Sequence, residues 1–118
     1  MIRVYVAGAI SSSNPIQFLD NIRKGARLSA QALLAGYAVF SPFIDFQLFL
    51  ALNGEEKIDI ETIQNQSLAW LKVSDAVLVV PGWENSKGTE KELAIARGLG
   101  IPIYFTLEGL KSSVHGKI

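Results

Sequence analysis

The chain has 118 residues, of which 49% are hydrophobic and 19% charged, and this predicts one compact α/β domain over residues 1–118. Eleven basic and eleven acidic residues cancel, which argues against a broad surface for polymeric nucleic acid, because such a surface needs clustered Lys and Arg. The absence of cysteine excludes disulfides and thiolate metal sites, and the lone His115, in a polar tail, argues against a clustered metal site.

Membrane insertion is not expected, because no apolar run reaches the roughly 20 residues that a spanning helix needs. Met1 leads directly into a strand pattern rather than into a signal peptide. The sequence therefore predicts a cytoplasmic protein without a membrane partner.

The first strand is predicted at Ile2 to Ala7, where β-branched residues alternate along the chain. The loop from Gly8 to Asn14 follows, and its small residues would let the backbone come close to a ligand. Ser11 and Ser12 could donate hydrogen bonds to a phosphate; a flexible turn with a helix cap is the alternative. With one glycine this loop is not the GxGxxG fingerprint, so NAD is not expected, and no other cofactor is indicated.

The first helix is predicted to begin after Asn14, because Asn caps helices and Pro15 suits the first helical position. Gly36 is placed to end it. Apolar residues recur at helical spacing and are predicted to form its buried face: Ile16, Leu19, Ile22, Ala26, Ala30 and Leu33.

A short second strand is predicted at Tyr37 to Phe40, and the apolar segment from Phe43 to Leu52 follows it. This segment is either a core helix or a hydrophobic flap with an oligomer interface. Asp45 interrupts it just after a strand end, where it could face a ligand crevice. The alternative for Asp45 is a carboxylate that serves a local turn or cap.

The remaining elements alternate in the same way. Asp75 lies at the start of a strand, the wrong end of a parallel sheet for a ligand, and is interpreted as structural. The predicted elements are a helix at Ile58 to Val73, a strand at Ala76 to Val80, a helix at 88–98 and a strand at Pro102 to Phe105. This alternation predicts a parallel sheet of order 2-1-3-4, with a possible fifth strand at the C-terminus.

The most informative stretch lies between the third strand and the helix after it. Pro81 and Gly82 end the strand, and a polar turn leads to Glu92, whose carboxylate points along the packed face of the helix. A helix N-terminus at this edge of the sheet suits phosphate, and an ionised carboxylate beside it is a plausible nucleophile for a sugar carbon. The alternative is a helix-start Glu favoured only by the helix dipole.

Two loops are predicted to meet in one crevice, because the strand order reverses between the first and third strands. These are the Gly8–Asn14 loop and the turn from Pro81 to Thr89. Both carry small and hydroxyl residues, so together they could hold a 5′-phosphate. Ser86 would contribute its hydroxyl and Gly88 its backbone N–H. Trp83, on the rim, could stack a base or simply pack under the turn.

The run Pro81-Gly82-Trp83 to Ser86-x-Gly88-Thr89-x-x-Glu92 resembles the nucleoside 2-deoxyribosyltransferase superfamily. The similarity is greatest to its small bacterial and phage members and to the deoxynucleoside monophosphate N-glycosidases. Gly88-Thr89-x-x-Glu92 also resembles the PGGxGTxxE signature of the cytokinin-activating phosphoribohydrolases. The resemblance implies a three-layer Rossmann/flavodoxin-like sandwich and a homodimer or higher homo-oligomer with sites near the interface.

The resemblance also implies a reaction, namely cleavage or transfer at the N-glycosidic bond of a nucleoside or its 5′-monophosphate. Glu92 would attack the anomeric carbon and form a covalent deoxyribosyl–enzyme, and Asp45 is the best candidate to protonate the leaving base. Ser67 stands where family members usually carry an acidic residue near the sugar; it can hydrogen-bond but supplies no charge. A non-catalytic nucleotide-binding or sensing module and a ribonucleotide phosphoribohydrolase are the alternatives.

Overall fold

The computed structural model describes residues 1–113, and of Phe46 it describes only the backbone. His115 therefore lies outside the described residues. The chain alternates strands and helices in the order β1 (Arg3–Ala7), α1 (Pro15–Leu34), β2 (Ala38–Phe40), a 3₁₀ turn (Pro42–Ile44), α2 (Phe46–Leu50), α3 (Ile60–Lys72), β3 (Ala76–Val79), α4 (Lys87–Gly98), β4 (Ile103–Tyr104) and α5 (Leu107–Ser112).

The described strands form one parallel sheet of order β2-β1-β3-β4. Apolar side chains of α3 and α4 cover one face of the sheet, and those of α1 and α5 cover the other. The predicted α/β fold class, the three layers and the strand order 2-1-3-4 are confirmed. A fifth strand is not found among residues 1–113, where α5 occupies the region that the sequence left open for it.

The long helix α1 begins and ends as predicted, with the Asn14 side chain accepting from the Ile16 N–H group and Gly36 at a positive φ of 101°. Its predicted buried face is wrong: Ile16 and Leu19 are 78% and 65% exposed. The buried positions carry small residues instead, namely Gly25, Ser29 and Ala32.

The Phe43 ring explains this shift of the buried face. A Cβ atom at Gly25 would lie 2.1 Å from that ring, so the helix can lie against Phe43 only where it has no side chain. Ser29 beside it donates a hydrogen bond to the Gly25 carbonyl, and its hydroxyl is also hydrogen-bonded to the hydroxyl of Ser41. A periodicity that counts apolar residues does not register Gly and Ser as core positions.

The segment after β2 contributes one anchor to the core and leaves several apolar side chains outside. Phe43 is fully buried, whereas Ile44, Leu48, Phe49 and Leu50 are all at least 44% exposed. The segment is therefore not a core helix, and the flap alternative describes it better. No helix within residues 1–113 is both long and apolar enough to cross a membrane.

Candidate active site

A cleft of about 720 Å³ opens at the carboxyl ends of the central strands, within the range of small-molecule sites. Gly8 follows β1 and Gly82 follows the end of β3, and the two strands pair there through Ala7 and Val79. Both glycines line the cleft. The predicted meeting of the two loops in one crevice is therefore what the structure contains.

Glycine is required at the first of these strand ends. A Cβ atom at Gly8 would lie 2.7 Å from the Cβ atom of Val80 and 3.0 Å from the Phe43 ring. Gly82 has φ of 90°, which L side chains rarely adopt. At Gly8 the backbone therefore packs directly against the side chains of Val80 and Phe43, whereas at Gly82 glycine is favoured by the backbone conformation.

The N-terminus of α4 forms one wall of the cleft. Ser86 caps the helix by accepting hydrogen bonds from the N–H and the hydroxyl of Thr89. Because its oxygen accepts both bonds, the hydroxyl hydrogen of Ser86 remains available to a ligand. The N–H groups of Lys87 and Gly88 belong to the first helical turn, where helix geometry provides no carbonyl partner. This wall therefore offers several donors and the positive end of the helix dipole.

Glu92 lies one turn further along α4, partly buried, and lines the cleft. The fully buried Tyr5 on β1 donates a hydrogen bond from its hydroxyl to Oε2 of Glu92. Burial raises the pKa of Glu92 to about 7, although the Tyr5 hydrogen bond acts in the opposite direction. Near neutral pH, Glu92 is therefore divided between a carboxylate and a carboxylic acid.

Tyr5 is held in a column of rings. It stacks on Phe40, its neighbour across the β1–β2 pair, with centroids 5.6 Å apart, and Phe40 stacks on Trp70 at 5.5 Å. Burial, followed by the negative charge of Glu92, raises the pKa of Tyr5. Its hydroxyl thus remains a hydrogen-bond donor that fixes the direction of the Glu92 carboxylate.

Asp45 lines the same cleft and is only 9% exposed. Its side chain makes no capping hydrogen bond to α2, so the local cap that the sequence left as an alternative is not formed. Its Oδ2 atom is buried and has no hydrogen-bond partner among the described residues. Burial raises the pKa of this carboxyl group.

The other predicted binding residues divide into two groups. Ser11, Ser67, Ser86, Gly88 and Thr89 line the cleft. Ser67 is buried, and hydrogen bonding by its side chain lowers the pKa of the Tyr5 hydroxyl, against the larger effect of burial.

Ser12 and Trp83 are not among the described residues that line the cleft. The Ser12 hydroxyl accepts from the Asn14 N–H and so shapes the loop. Trp83 packs on the core under the turn and against Phe105, with centroids 5.9 Å apart, which is the packing alternative. The other structural assignment holds as well: Asp75 accepts a hydrogen bond from the Arg3 N–H and pairs with its side chain.

Sequence reasoning missed four residues that build the site. Lys87 and Lys91 line the cleft, and their i, i+4 spacing around the Gly88-Thr89 pair was a readable signal of two cations on one side of a helix start. Phe49 supplies an aromatic face to the cleft. The contact of Tyr5 with Glu92 spans 87 positions, and no local pattern announces it.

Metal ligation has no support in the described part of the chain. Between residues 1 and 113, no three His, Cys, Asp or Glu side chains come together in a way that could hold a metal ion.

Comparisons with known proteins place this fold among solved structures. A conserved protein from Enterococcus faecalis V583 superimposes with a TM-score of 0.62 at 21% identity, covering 99% of this chain and 72% of that one. A 2-deoxyribosyltransferase from Bacillus psychrosaccharolyticus gives a TM-score of 0.56 at 20% identity, covering 93% of this chain and 81% of that one. At these identities the likeness concerns the fold.

Sequence comparison gives the family. No curated protein matches the chain. Residues 2–105 match the family described as a domain of unknown function, DUF4406, and because the match covers most of the sequence, the chain belongs to the DUF4406 family.

Proposed function

We propose that the protein is an enzyme of the nucleoside 2-deoxyribosyltransferase superfamily that cleaves or transfers the N-glycosidic bond of a deoxynucleoside 5′-monophosphate. The observation that carries the proposal is Glu92: a partly buried carboxylate, oriented by the Tyr5 hydroxyl, facing a cleft beside a helix N-terminus. Carboxylates in such surroundings are typical of functional sites. Burying a charged group lowers the free energy of unfolding, so its presence is better explained by a chemical role than by stability. The shared fold of the Bacillus psychrosaccharolyticus 2-deoxyribosyltransferase supports the same reaction class.

The reaction would proceed in two steps. An oxygen of the Glu92 carboxylate attacks the anomeric carbon, the C–N bond breaks, and its electron pair leaves with the base, which Asp45 protonates. A water molecule or a second base then attacks the same carbon and displaces Glu92, and Asp45 accepts the proton released. Two inversions give net retention, as in retaining glycosidases. Purified protein incubated with a panel of nucleosides and monophosphates tests this directly through the base released.

The 5′-phosphate would bind at the N-terminal end of α4. Ser86 and the Gly88 N–H group supply donors there, Lys87 and Lys91 supply positive charge, and Ser11 faces them from the β1 loop. None of the ion pairs found in the described residues engages either lysine. Anions bind at such helix starts through N–H groups and the dipole together.

We expect Gly88→Val to weaken monophosphate binding by about tenfold or more, since the loss of one close N–H contact to an anion has that order of effect. A Cβ atom at Gly88 meets nothing within 4 Å, so the fold tolerates the change and only a ligand is displaced. Calorimetric titration with a deoxynucleoside monophosphate and with the matching nucleoside measures it. In the unmodified protein the monophosphate should bind more tightly, and equal affinities would contradict this phosphate site.

Gly98→Val is the matched control for this experiment. Gly98 ends the same helix away from the cleft, and a Cβ atom there also meets nothing within 4 Å. Both variants replace a helical glycine with the same β-branched residue, so their unfolding midpoints should be similar. Only Gly88→Val should lose phosphate affinity.

We propose that the protein assembles into a homodimer or higher oligomer through the exposed apolar side chains of α2. Leu48, Phe49 and Leu50 project from a segment next to the cleft, and monomers rarely expose such clusters. Leu50→Lys should shift sedimentation at micromolar concentration toward the monomer. Leu34→Lys is the control, because Leu34 is 83% exposed against 81% for Leu50 but lies at the opposite end of the sheet. A monomeric unmodified protein would refute this assembly.

A sensing module is the second candidate, favoured by one residue. Members of the nucleoside 2-deoxyribosyltransferase superfamily usually carry an acidic residue near the sugar, at the position where this chain has Ser67. A binding module does not need that charge. A phosphoribohydrolase differs only in accepting ribose. Comparing ribo- and deoxyribonucleotides in the base-release panel separates all three: no release with tight binding indicates a sensor, and release from ribonucleotides alone indicates the phosphoribohydrolase.

A further inference from the structure

The carboxyl group of Asp45 is not fully hydrogen-bonded within the described part of the chain. Its Oδ2 atom is buried, and no described residue hydrogen-bonds to it. Buried polar atoms are nearly always paired, because leaving one unpaired forfeits its interaction with water without replacement. The carboxyl group lines the cleft, so the partner that completes it is a group on the ligand.

The surroundings of Asp45 favour its neutral form. No ion pair among the described residues involves it, and Glu92 faces the same cleft, so a second anion there would be repelled. Burial alone raises its pKa. A neutral carboxyl group offers one O–H donor and one C=O acceptor side by side.

The location of Asp45 in the cleft indicates which part of the ligand it contacts. The phosphate donors of the proposed site lie on α4, whereas Asp45 lies at the start of α2, between Phe43 and Phe49 in the chain, and both of these aromatic residues line the cleft. A flat base suits such a wall, because aromatic and aliphatic faces stack on its rings. With the sugar at Glu92 between these two regions, the base lies toward Asp45.

We propose that Asp45 selects the base, by pairing its neutral carboxyl group with a purine edge on which the N7 acceptor adjoins an amino group. This rests on the proposed function and names its substrate class: adenine nucleotides, whose base offers N7 beside its 6-amino group. Hypoxanthine replaces that amino group with an oxo group, so its edge carries two acceptors, and the oxo oxygen repels the carboxyl C=O.

The same contact explains how proton transfer and recognition coincide. The O–H of Asp45 points at the ring nitrogen, and as the C–N bond breaks, that proton passes to the nitrogen while Asp45 becomes a carboxylate. The base leaves neutral, and the negative charge of the Glu92 carboxylate is lost as it bonds to the sugar carbon, so the one negative charge moves from Glu92 to Asp45. Atoms and charge balance without another reactant.

The test is equilibrium binding of two monophosphates whose purine bases differ at position 6. Calorimetry on Glu92→Gln, which would not consume ligand, compares deoxyadenosine with deoxyinosine monophosphate. We expect deoxyadenosine monophosphate to bind about tenfold or more tightly, the order expected when a site leaves a buried polar group unpaired with the wrong ligand. Binding needs no turnover, so this result can stand even if no base is ever released.

Two variants separate recognition from proton transfer. Asp45→Asn retains one donor and one acceptor, a pattern that pairs with adenine, so the preference should survive while any base release falls. Asp45→Val removes both groups and should bring the affinity ratio close to one. A ratio near one in the protein with Asp45, a preference for deoxyinosine monophosphate, or no monophosphate binding would each overturn the proposal, whether or not Asp45→Val folds.

Discussion

Glu92→Gln should lower base release by roughly three orders of magnitude or more, since removing a covalent nucleophile removes the step that it carries. Gln retains the size of the side chain and an oxygen that can accept from the Tyr5 hydroxyl. It lacks the negative charge that attacks carbon. Monophosphate binding should persist or tighten, because a carboxylate near a phosphate repels it. The measurement is base release together with calorimetric affinity for the same monophosphate.

Glu90→Gln is the internal control for this result. Glu90 is exposed on the same helix, two residues before Glu92 and about 200° away from it by the helical period, and Glu90→Gln makes the same chemical change outside the cleft. Its activity should stay within about twofold of the unmodified protein, as for surface substitutions away from a site. Intact-mass detection of a deoxyribosyl adduct adds a direct test. Activity retained in Glu92→Gln, or an adduct on another residue, would end the assignment of Glu92 as nucleophile.

The sheet and the position of Glu92 could be predicted because both depend on local signals. The strand order follows from alternating periods and right-handed crossovers. In the turn from Pro81 to Thr89, Gly82 marks the end of the strand and Ser86 marks the start of the helix. The position of Glu92 on the packed face then follows from the helical period. The structure has a helix from Lys87 to Gly98, within a residue of the expected start.

The features that could not be predicted depend on contacts between distant parts of the chain. Tyr5 looked like an ordinary strand residue until the sheet brought it to Glu92. The buried face of α1 follows from the fit of Gly25 to the Phe43 ring, which apolar periodicity does not encode. Asp45 was recognised as a candidate, but its burial without a hydrogen-bond partner is a property of the packed cleft alone.

The partial burial of Glu92 should also affect the free energy of unfolding. At high pH, Glu92→Gln is expected to be more stable than the unmodified protein. Burial raises the pKa of Glu92 from 4.5 to about 7 in the folded protein. Below pH 4.5 both the folded and the unfolded protein hold this proton. Between these values the unfolded chain releases the proton while the folded protein keeps it, so the free energy of unfolding falls as pH rises. Above pH 7 the whole penalty of a buried charge is present, roughly 3 kcal/mol for a shift of this size.

Gln does not titrate, so its advantage over Glu92 should be small near pH 4.5 and grow to as much as roughly 3 kcal/mol at pH 8.5. Urea unfolding of both proteins at these two pH values measures the difference, with midpoints compared at a common slope. The other acids are present in both proteins, so the pH dependence of the difference reports the charge at position 92 together with its effect on neighbouring groups. Glu90→Gln, at an exposed position of the same helix, is the matched control for the substitution itself. If the difference in free energy of unfolding between Glu92→Gln and the unmodified protein were the same at both pH values, Glu92 would carry no burial penalty. A desolvated carboxylate must weaken the fold as it ionises.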